Sequence, residues 1–455
     1  MKKKNIIISA ILLTAGLELS AQVPDSLRRV MNLHDCMEYA VLNSTKMKLQ
    51  QTEISDAQIT RRESIIGAFT PDISAGTYLY GNFGRAVDPE TNTYISNTSL
   101  NNGYSVSAGI TLFNGFQAIN GMKVAKTALK MGHTKEQQLT DEICLATMQA
   151  YYNVVFCTKM TGVLQSFVEN ARKNLELARR QKELGQKGKS EVIQMEAELA
   201  DREYELVTME NNRKDALLTL KDVMLWPVTE DLHVDLTFTE EEMVVLNTDA
   251  LVFPEIIERA KGWMPSAILA QSKMQNAKTE LNSARWSLAP SLTLSGGWST
   301  SYYTYPGKPN YVATPFGHQF VNNGGEYIQL SLSIPIFSGW SRQSRIARKK
   351  NEYRRASYEY EQTLHNIETE VARALQDRDG AQAALDQAQR RSEVQEEAYH
   401  LNREKMARGL ISSIEYQTAS NLYLKAEAEC LDARLKYLLK DSIVKFYKGI
   451  SYLNQ

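Results

Sequence analysis

Two stretches of this chain are too long and too polar to be helices of an ordinary globular domain, and they are equal in length. Phe116 to Leu184 and Trp340 to Arg408 each run 69 residues without a proline. Apolar or small residues recur in the first at Leu139, Ile143, Ala146, Ala150, Val154, Cys157, Thr161, Leu164, Val168, Ala171, Leu175 and Ala178, in steps of three and four. That is a near-heptad stripe with charge on the other face. At 1.5 Å per residue each stretch predicts a helix about 100 Å long, which needs long neighbours along its stripe.

Both helices follow the same junction. Ile110-Thr111-Leu112-Phe113-Asn114-Gly115-Phe116 recurs as Ile334-Pro335-Ile336-Phe337-Ser338-Gly339-Trp340, with Phe113 and Phe337, and Gly115 and Gly339, each 224 residues apart. Gly185 and Gly409, and Glu191 and Glu415, keep the same offset. Pro71 and Pro290 differ by 219, so the loops absorb the length change and the helices do not. The chain is a duplication in which helix length is specified.

The organisation predicted is a leader over 1–21, a first repeat over 22–227, a connector over 228–253 and a second repeat over 254–455. The leader combines Lys2-Lys3-Lys4 with a short apolar core from Ile6 to Leu17 and a small residue, Ala21, before Gln22. In the first repeat a helix from Leu33 to about Ala68 ends at Pro71. Period-two strands follow at about 72–83 and 103–113, with a loop between, and then the long helix at about 116–184. In the second repeat the order recurs: a helix from Pro254 to Leu288, strands at about 291–302 and 327–337, a loop from Tyr302 to Asn323, and the long helix at about 340–408.

Each strand has an apolar face and a face of Ser, Thr, Gly and Tyr. The helices are largely polar, with stripes narrow enough to be satisfied by one another, so nothing is left to cover the apolar strand faces. Bare apolar sheet faces are stable in lipid if the sheet closes. Phe113, Phe116, Phe337 and Trp340 at one end, and Tyr302, Tyr303, Tyr305, Tyr311 and Phe316 at the other, suit two interfacial aromatic belts. Four strands cannot close a barrel, so copies of the chain must share one. The competing reading is a soluble sheet beside a coiled coil: a periplasmic scaffold or adaptor with no pore.

The duplicated order of helix, strand, strand, long helix and helix, with Pro71 and Pro290, Phe113-Asn114-Gly115 and Phe337-Ser338-Gly339, and breaks at Gly185 and Arg408-Gly409-Leu410, resembles the TolC-like outer-membrane efflux channels. The resemblance covers nearly all of the chain after the leader. It implies an α+β membrane protein, a homotrimer whose twelve strands form one β-barrel in the outer membrane, and an α-helical tunnel in the periplasm. It implies export of solutes, with a periplasmic adaptor protein and an inner-membrane transporter as partners. The tip turns would be Leu184-Gly185 and Arg408-Gly409-Leu410, touching the adaptor. Gln186 stands where such channels usually carry Leu. Glu415 matches the first of the acids that ring the family's constriction. Thr418 holds the next such position, Glu191 is the first-repeat counterpart of Glu415, and Ile411 replaces a basic locking residue.

Other chemistry is missing from the sequence. With 52 basic and 53 acidic residues the formal net charge is −1, which gives no reason to expect nucleic acid. Gly185-Gln186-Lys187-Gly188-Lys189-Ser190 imitates a phosphate loop, but position 183 is Glu and a helix precedes it. The six histidines share no ligand spacing, and no catalytic constellation is present. Neither enzyme nor metal nor cofactor is expected. Cys36, Cys144, Cys157 and Cys430 form no CxxC and read as buried apolar residues. The basic run of Arg342, Arg345, Arg348, Lys349, Lys350, Arg354 and Arg355 reads chiefly as a solvated face near the membrane, with contact to anionic groups as the lesser alternative.

Overall fold

A computed structural model describes residues 30–87, 92–236, 253–306 and 311–455. The leader and most of the connector, from residue 237 to 252, lie outside the described residues. The first repeat comprises α1 (Leu33–Asn43), α2 (Thr45–Phe69), β1 (Asp72–Val87), β2 (Tyr94–Asn114), α3 (Gln117–Glu183) and α4 (Lys189–Met224). The second comprises α5 (Phe253–Trp263), α6 (Pro265–Trp286), β3 (Ser291–Thr304), α7 (Phe316–Asn322), β4 (Gly325–Ser333), α8 (Ser341–Ala407) and α9 (Ser413–Tyr447). The two long helices, α3 and α8, are 67 residues each.

The helix expected before the first strand pair is broken in both repeats, after 11 residues each time. In the first, Ser44 leaves helical geometry and its hydroxyl accepts from the Met47 N–H. In the second, Met264 is extended and Pro265 opens the next helix, where its missing N–H costs nothing. The short arms α1 and α5 reach inward to the middle of α3 and α8. There Cys36, Ala40, Val155, Leu220 and Met224 form one buried cluster, and Met37, Met148, Ile256, Ile367, Val371 and Phe446 form another. The described part of the connector joins this belt: Met31 bridges Val234, and the Tyr151 hydroxyl donates to the Asp235 carbonyl at 2.7 Å. All four cysteines are buried thiols.

The strands form one antiparallel sheet in the order β1-β2-β3-β4. Its register places every apolar strand face on the same side. Ile73 opposes Ala108, Ala75 opposes Val106, Val106 opposes Trp298, Ile110 opposes Leu294, and Leu294 opposes Leu330. The other side carries Ser74, Ser107, Gly297 and Tyr327 in the same ladder, with Ser74 and Ser107 hydroxyls 3.1 Å apart. A bulge near Thr111 lets Phe113, rather than the expected Leu112, oppose Leu292 on the apolar side.

The strand ends differ from expectation in four places. β1 and β2 extend to Val87 and back from Tyr94, because Asn, Ser and Thr between them continue the hairpin ladder instead of forming a long loop. β3 continues to Thr304. β4 stops at Ser333, since Pro335 has no N–H to extend the ladder. The loop expected over 302–323 contains α7. That helix lies on the apolar side at the loop end, where Phe320 meets Trp298 and Tyr104 at 5.5 Å and accepts the Thr300 hydroxyl at 2.7 Å. The Gln319 amide donates to the Tyr303 carbonyl at 2.9 Å and accepts the Tyr303 N–H at 3.0 Å, taking the place of a strand beyond the end of β4. Elsewhere the apolar side is bare: Ile73 is 73 % exposed, Phe83 79 % and Ile328 88 %.

Candidate functional site: a strand-to-helix neck and a paired tip

Apart from α7 at the loop end, the four helices that run into or out of the sheet do so at one end of it. The C-termini of α2 and α6 enter β1 and β3, and β2 and β4 return into α3 and α8. The return is made by two successive left-handed residues in each repeat. Gly115 (φ 65°) precedes Phe116 (φ 59°), and Gly339 (φ 57°) precedes Trp340 (φ 66°). Two such residues turn an extended chain sharply into a helix. Glycine is required at Gly115 for a second reason: a Cβ there would sit 2.2 Å from the Trp286 carbonyl oxygen. The Phe116 ring meets Phe113 at 5.3 Å and Trp286 at 4.9 Å, so the first junction is packed against the end of α6. Gly339 has open space around it, and Phe337 and Trp340 are exposed. Phe116 and Trp286 thus share the first junction with Phe113 and Gly115, and Trp340 shares the second with Phe337 and Gly339. Adoption of positive φ by an aromatic residue has no signature in a single sequence.

At the opposite end, α3 and α4, and α8 and α9, fold back as helical hairpins. Both turns use one device. The Gly185 N–H donates to the Lys182 carbonyl and the Gln186 N–H to Gln181, at 2.9 and 2.8 Å. The Gly409 N–H donates to Met406 and the Leu410 N–H to Lys405, at 3.0 and 2.9 Å. With φ at +73° and +74°, these are paired Schellman caps. Leu184 and Leu410 are exposed at the two turns, and Arg408 beside them is exposed as well.

The two tips are packed side by side. Phe167, Leu175, Val192 and Met195 of the first hairpin share a buried cluster with Tyr399, Met406 and Tyr416 of the second. The Ser413 hydroxyl donates to the Gln194 side-chain amide oxygen at 3.1 Å, tying the start of α9 to the start of α4. Ile411 packs against the same cluster.

Of the three acidic-ring positions, Glu415 and Thr418 are exposed on α9. Glu415 already has structural work: the Ser412 N–H donates to its Oε2 at 3.1 Å, and its own N–H donates to the Ser412 hydroxyl at 3.3 Å. That is a capping box. Thr418 donates to the Ile414 carbonyl at 2.9 Å, and Glu191 lies 3.6 Å from Lys187.

A buried polar group just above the tip has no motif in the sequence. Arg202, 3 % exposed, donates to Glu205 at 2.8 Å, to the Ser420 hydroxyl at 3.3 Å and to the Asn421 side-chain amide oxygen, with its guanidinium over the Phe167 ring. Glu198 is equally buried beside it. Burial pushes its carboxyl above the usual range, against the opposing pull of Arg202. The Tyr399 and Tyr416 hydroxyls meet at 3.3 Å, and burial raises Tyr416. Such a group couples the two hairpins, because any separation would strand a desolvated charge.

Among the described residues no cluster of His, Cys, Asp or Glu could hold a metal ion, and no helix is long and apolar enough to cross a membrane.

Residues 266–441, most of the second repeat, match the profile of the family described as "Outer membrane efflux protein". No curated protein matches the chain. Among solved structures the chain is similar to CusC, a protein described for its folding and transmembrane channel formation. Identity is 14 %, 92 % of either chain is covered and the TM-score is 0.76. It is similar to the outer membrane protein VceC of Vibrio cholerae, with 15 % identity, 92 % and 96 % coverage and a TM-score of 0.72. It is also similar to the outer membrane channel MtrE of Neisseria gonorrhoeae, with 17 % identity, 93 % and 88 % coverage and a TM-score of 0.72.

Proposed function

We propose, for a chain that has the fold of the TolC-like outer-membrane channels and an outer membrane efflux protein segment as its second repeat, that it is one subunit of a trimeric conduit in the outer membrane. The observation that carries this reading is the apolar side of the sheet, continuous over all four strands and bare below α7. In water such a surface is an aggregation site. In lipid it is the outer wall of a barrel. β1 and β4 are the open edges, and three copies joined edge to edge give twelve strands.

The helices then continue the barrel as a tunnel into the periplasm. The paired tips support docking of an adaptor: two Schellman turns present the exposed Leu184 and Leu410, with Gly185, Arg408 and Gly409 shaping them. An inner-membrane transporter would supply the energy, since the conduit performs no chemistry. Glu415, Thr418 and Glu191 face the narrowing near the tip in this reading. Three Glu415 carboxylates about one axis would favour cations.

Membrane extraction tests the reading. The channel should be released from envelopes only by detergent, migrate as a heat-modifiable oligomer and conduct in a planar bilayer. Release in detergent-free buffer would establish the soluble scaffold instead.

A further inference from the structure

The charge on this chain is segregated. The fifteen residues at the sheet-side end of each of α2, α3, α6 and α8, about 22 Å of helix, together carry fifteen basic and four acidic residues. The rest of the chain holds 37 of its 52 basic and 49 of its 53 acidic residues. A protein of net charge −1 therefore wears a collar of net charge +11 at the neck. Seven of the fifteen cations open α8, from Arg342 to Arg355, against one acid, Glu352.

The first of these cations, Arg342, opposes the helix's own electrostatics, since it lies in the first turn. Cations at a helix N-terminus meet the positive end of the dipole. α8 has no acidic residue in its first turn and no side-chain cap, and α3 has no acidic residue there either, only the neutral Asn114 amide oxygen accepting the Ala118 N–H at 3.3 Å. Of the fifteen cations only Lys349 has an ion-pair partner among the described residues, in Glu280 and Glu352. The collar also adjoins apolar surface. Ile336, Phe337 and Trp340, exposed by 94 %, 77 % and 66 %, lead directly into Arg342 and Arg345. Exposed aromatic and aliphatic side chains followed by a run of cations form the sequence of surfaces found where a protein leaves a bilayer.

Resting on the outer-membrane reading, we propose that the neck collar binds anionic phospholipid headgroups of the leaflet from which the helices emerge. The lipid phosphates would supply the negative charge that the first turns of α3 and α8 lack. They would also fix the depth at which the barrel ends and the tunnel begins. A positive collar facing the tunnel, selecting anionic solutes, is the competing arrangement.

The test uses the full oligomer in nanodiscs of equal phosphatidylethanolamine and phosphatidylglycerol, with retained lipid counted by native mass spectrometry. Phosphatidylglycerol should be enriched roughly fivefold or more at low salt, and the enrichment should fall towards parity in about 1 M salt. Replacing the exposed Arg345, Arg348, Lys350, Arg354 and Arg355 together with Gln should remove most of it. The matching variant with Lys at the four arginines should keep it, which controls for loss of packing. Parity in the wild-type protein at low salt overturns the inference. So does a Gln variant that keeps its enrichment but loses anion selectivity in a planar bilayer, since the collar would then face the tunnel. A protein that fails to enter nanodiscs at all would instead defeat the outer-membrane reading on which the inference rests.

Discussion

Several single residues carry constraints that can be read as free energy. Gly115 and Gly339 share one role in two repeats but not one environment. Gly339→Ala meets open space and is opposed only by its left-handed backbone, at a cost of about 1 kcal/mol. Gly115→Ala drives a methyl into the Trp286 carbonyl as well, and should cost at least about 2 kcal/mol more. The yield of heat-modifiable oligomer should fall sharply for the first-repeat variant and little for the second. Gly409→Val, at φ +74° with free space around it, should strain the tip turn alone. Export should drop while the oligomer persists, and normal export would displace the tip from its role. Asp141 lies buried on α3 with Oδ2 unpartnered, and burial followed by the charge of Glu142 raises its carboxyl to about 7. The unfolded chain therefore gives up this proton at lower pH than the folded one. The contribution of this group to stability should therefore be full below about pH 4, decline to about pH 7 and level off above, by roughly 2–4 kcal/mol in all. Asp141→Asn should flatten that part of the profile in thermal melts. Leu225 shows the opposite economy: it holds φ 54° at the end of α4, where Gly449 serves the equivalent end of α9, 224 residues later.

At the scale of elements, the start of α9 isolates a cap from a charge. Ser412→Ala removes the hydroxyl that receives the Glu415 N–H and should cost about 1 kcal/mol. Glu415→Gln keeps an acceptor for the Ser412 N–H, so stability should hold while cation selectivity in a planar bilayer falls. An unchanged reversal potential in that variant would remove Glu415 from the conduction path. The large elements were legible because their signals are long. Near-heptad stripes, period-two strands and proline stops specify the helices, the strand faces and the repeat. The breaks after α1 and α5 were not legible. Ser44 interrupts a polar helix by a hydroxyl–backbone contact that propensity cannot foresee, and Met264-Pro265 resembles an ordinary helix start. α7 was hidden in an aromatic, proline-rich loop, and its place depends on Gln319 reaching the backbone of Tyr303. The Arg202 group was hidden for a similar reason. Its partners Ser420 and Asn421 are 218 and 219 residues away, and only the packing of two hairpins brings them together.

For the whole molecule, the bare sheet side separates a lipid-facing wall from a soluble surface. Leu330 and Leu332 are 63 % and 62 % exposed in the isolated chain. In water, Lys at both positions would be harmless or would aid solubility. In a bilayer each would cost about 2–4 kcal/mol near the midplane. Leu330→Lys with Leu332→Lys should therefore deplete the protein from the outer-membrane fraction, as measured by sucrose-gradient fractionation. Equal recovery of the variant would return the sheet to the aqueous side.

The sheet leaves β1 and β4 each with one edge that no strand of their own chain pairs. If three copies must lend each other the missing neighbours, no subunit finishes folding by itself, and quality is decided by the company it keeps. One copy with a spoiled rim then ruins the ring for two sound ones. A cell making sound and spoiled copies in equal amounts would build only about one ring in eight from sound subunits alone. Rim mutations should therefore behave as dominant in the cell, whereas changes at the distant turns leave the ring standing.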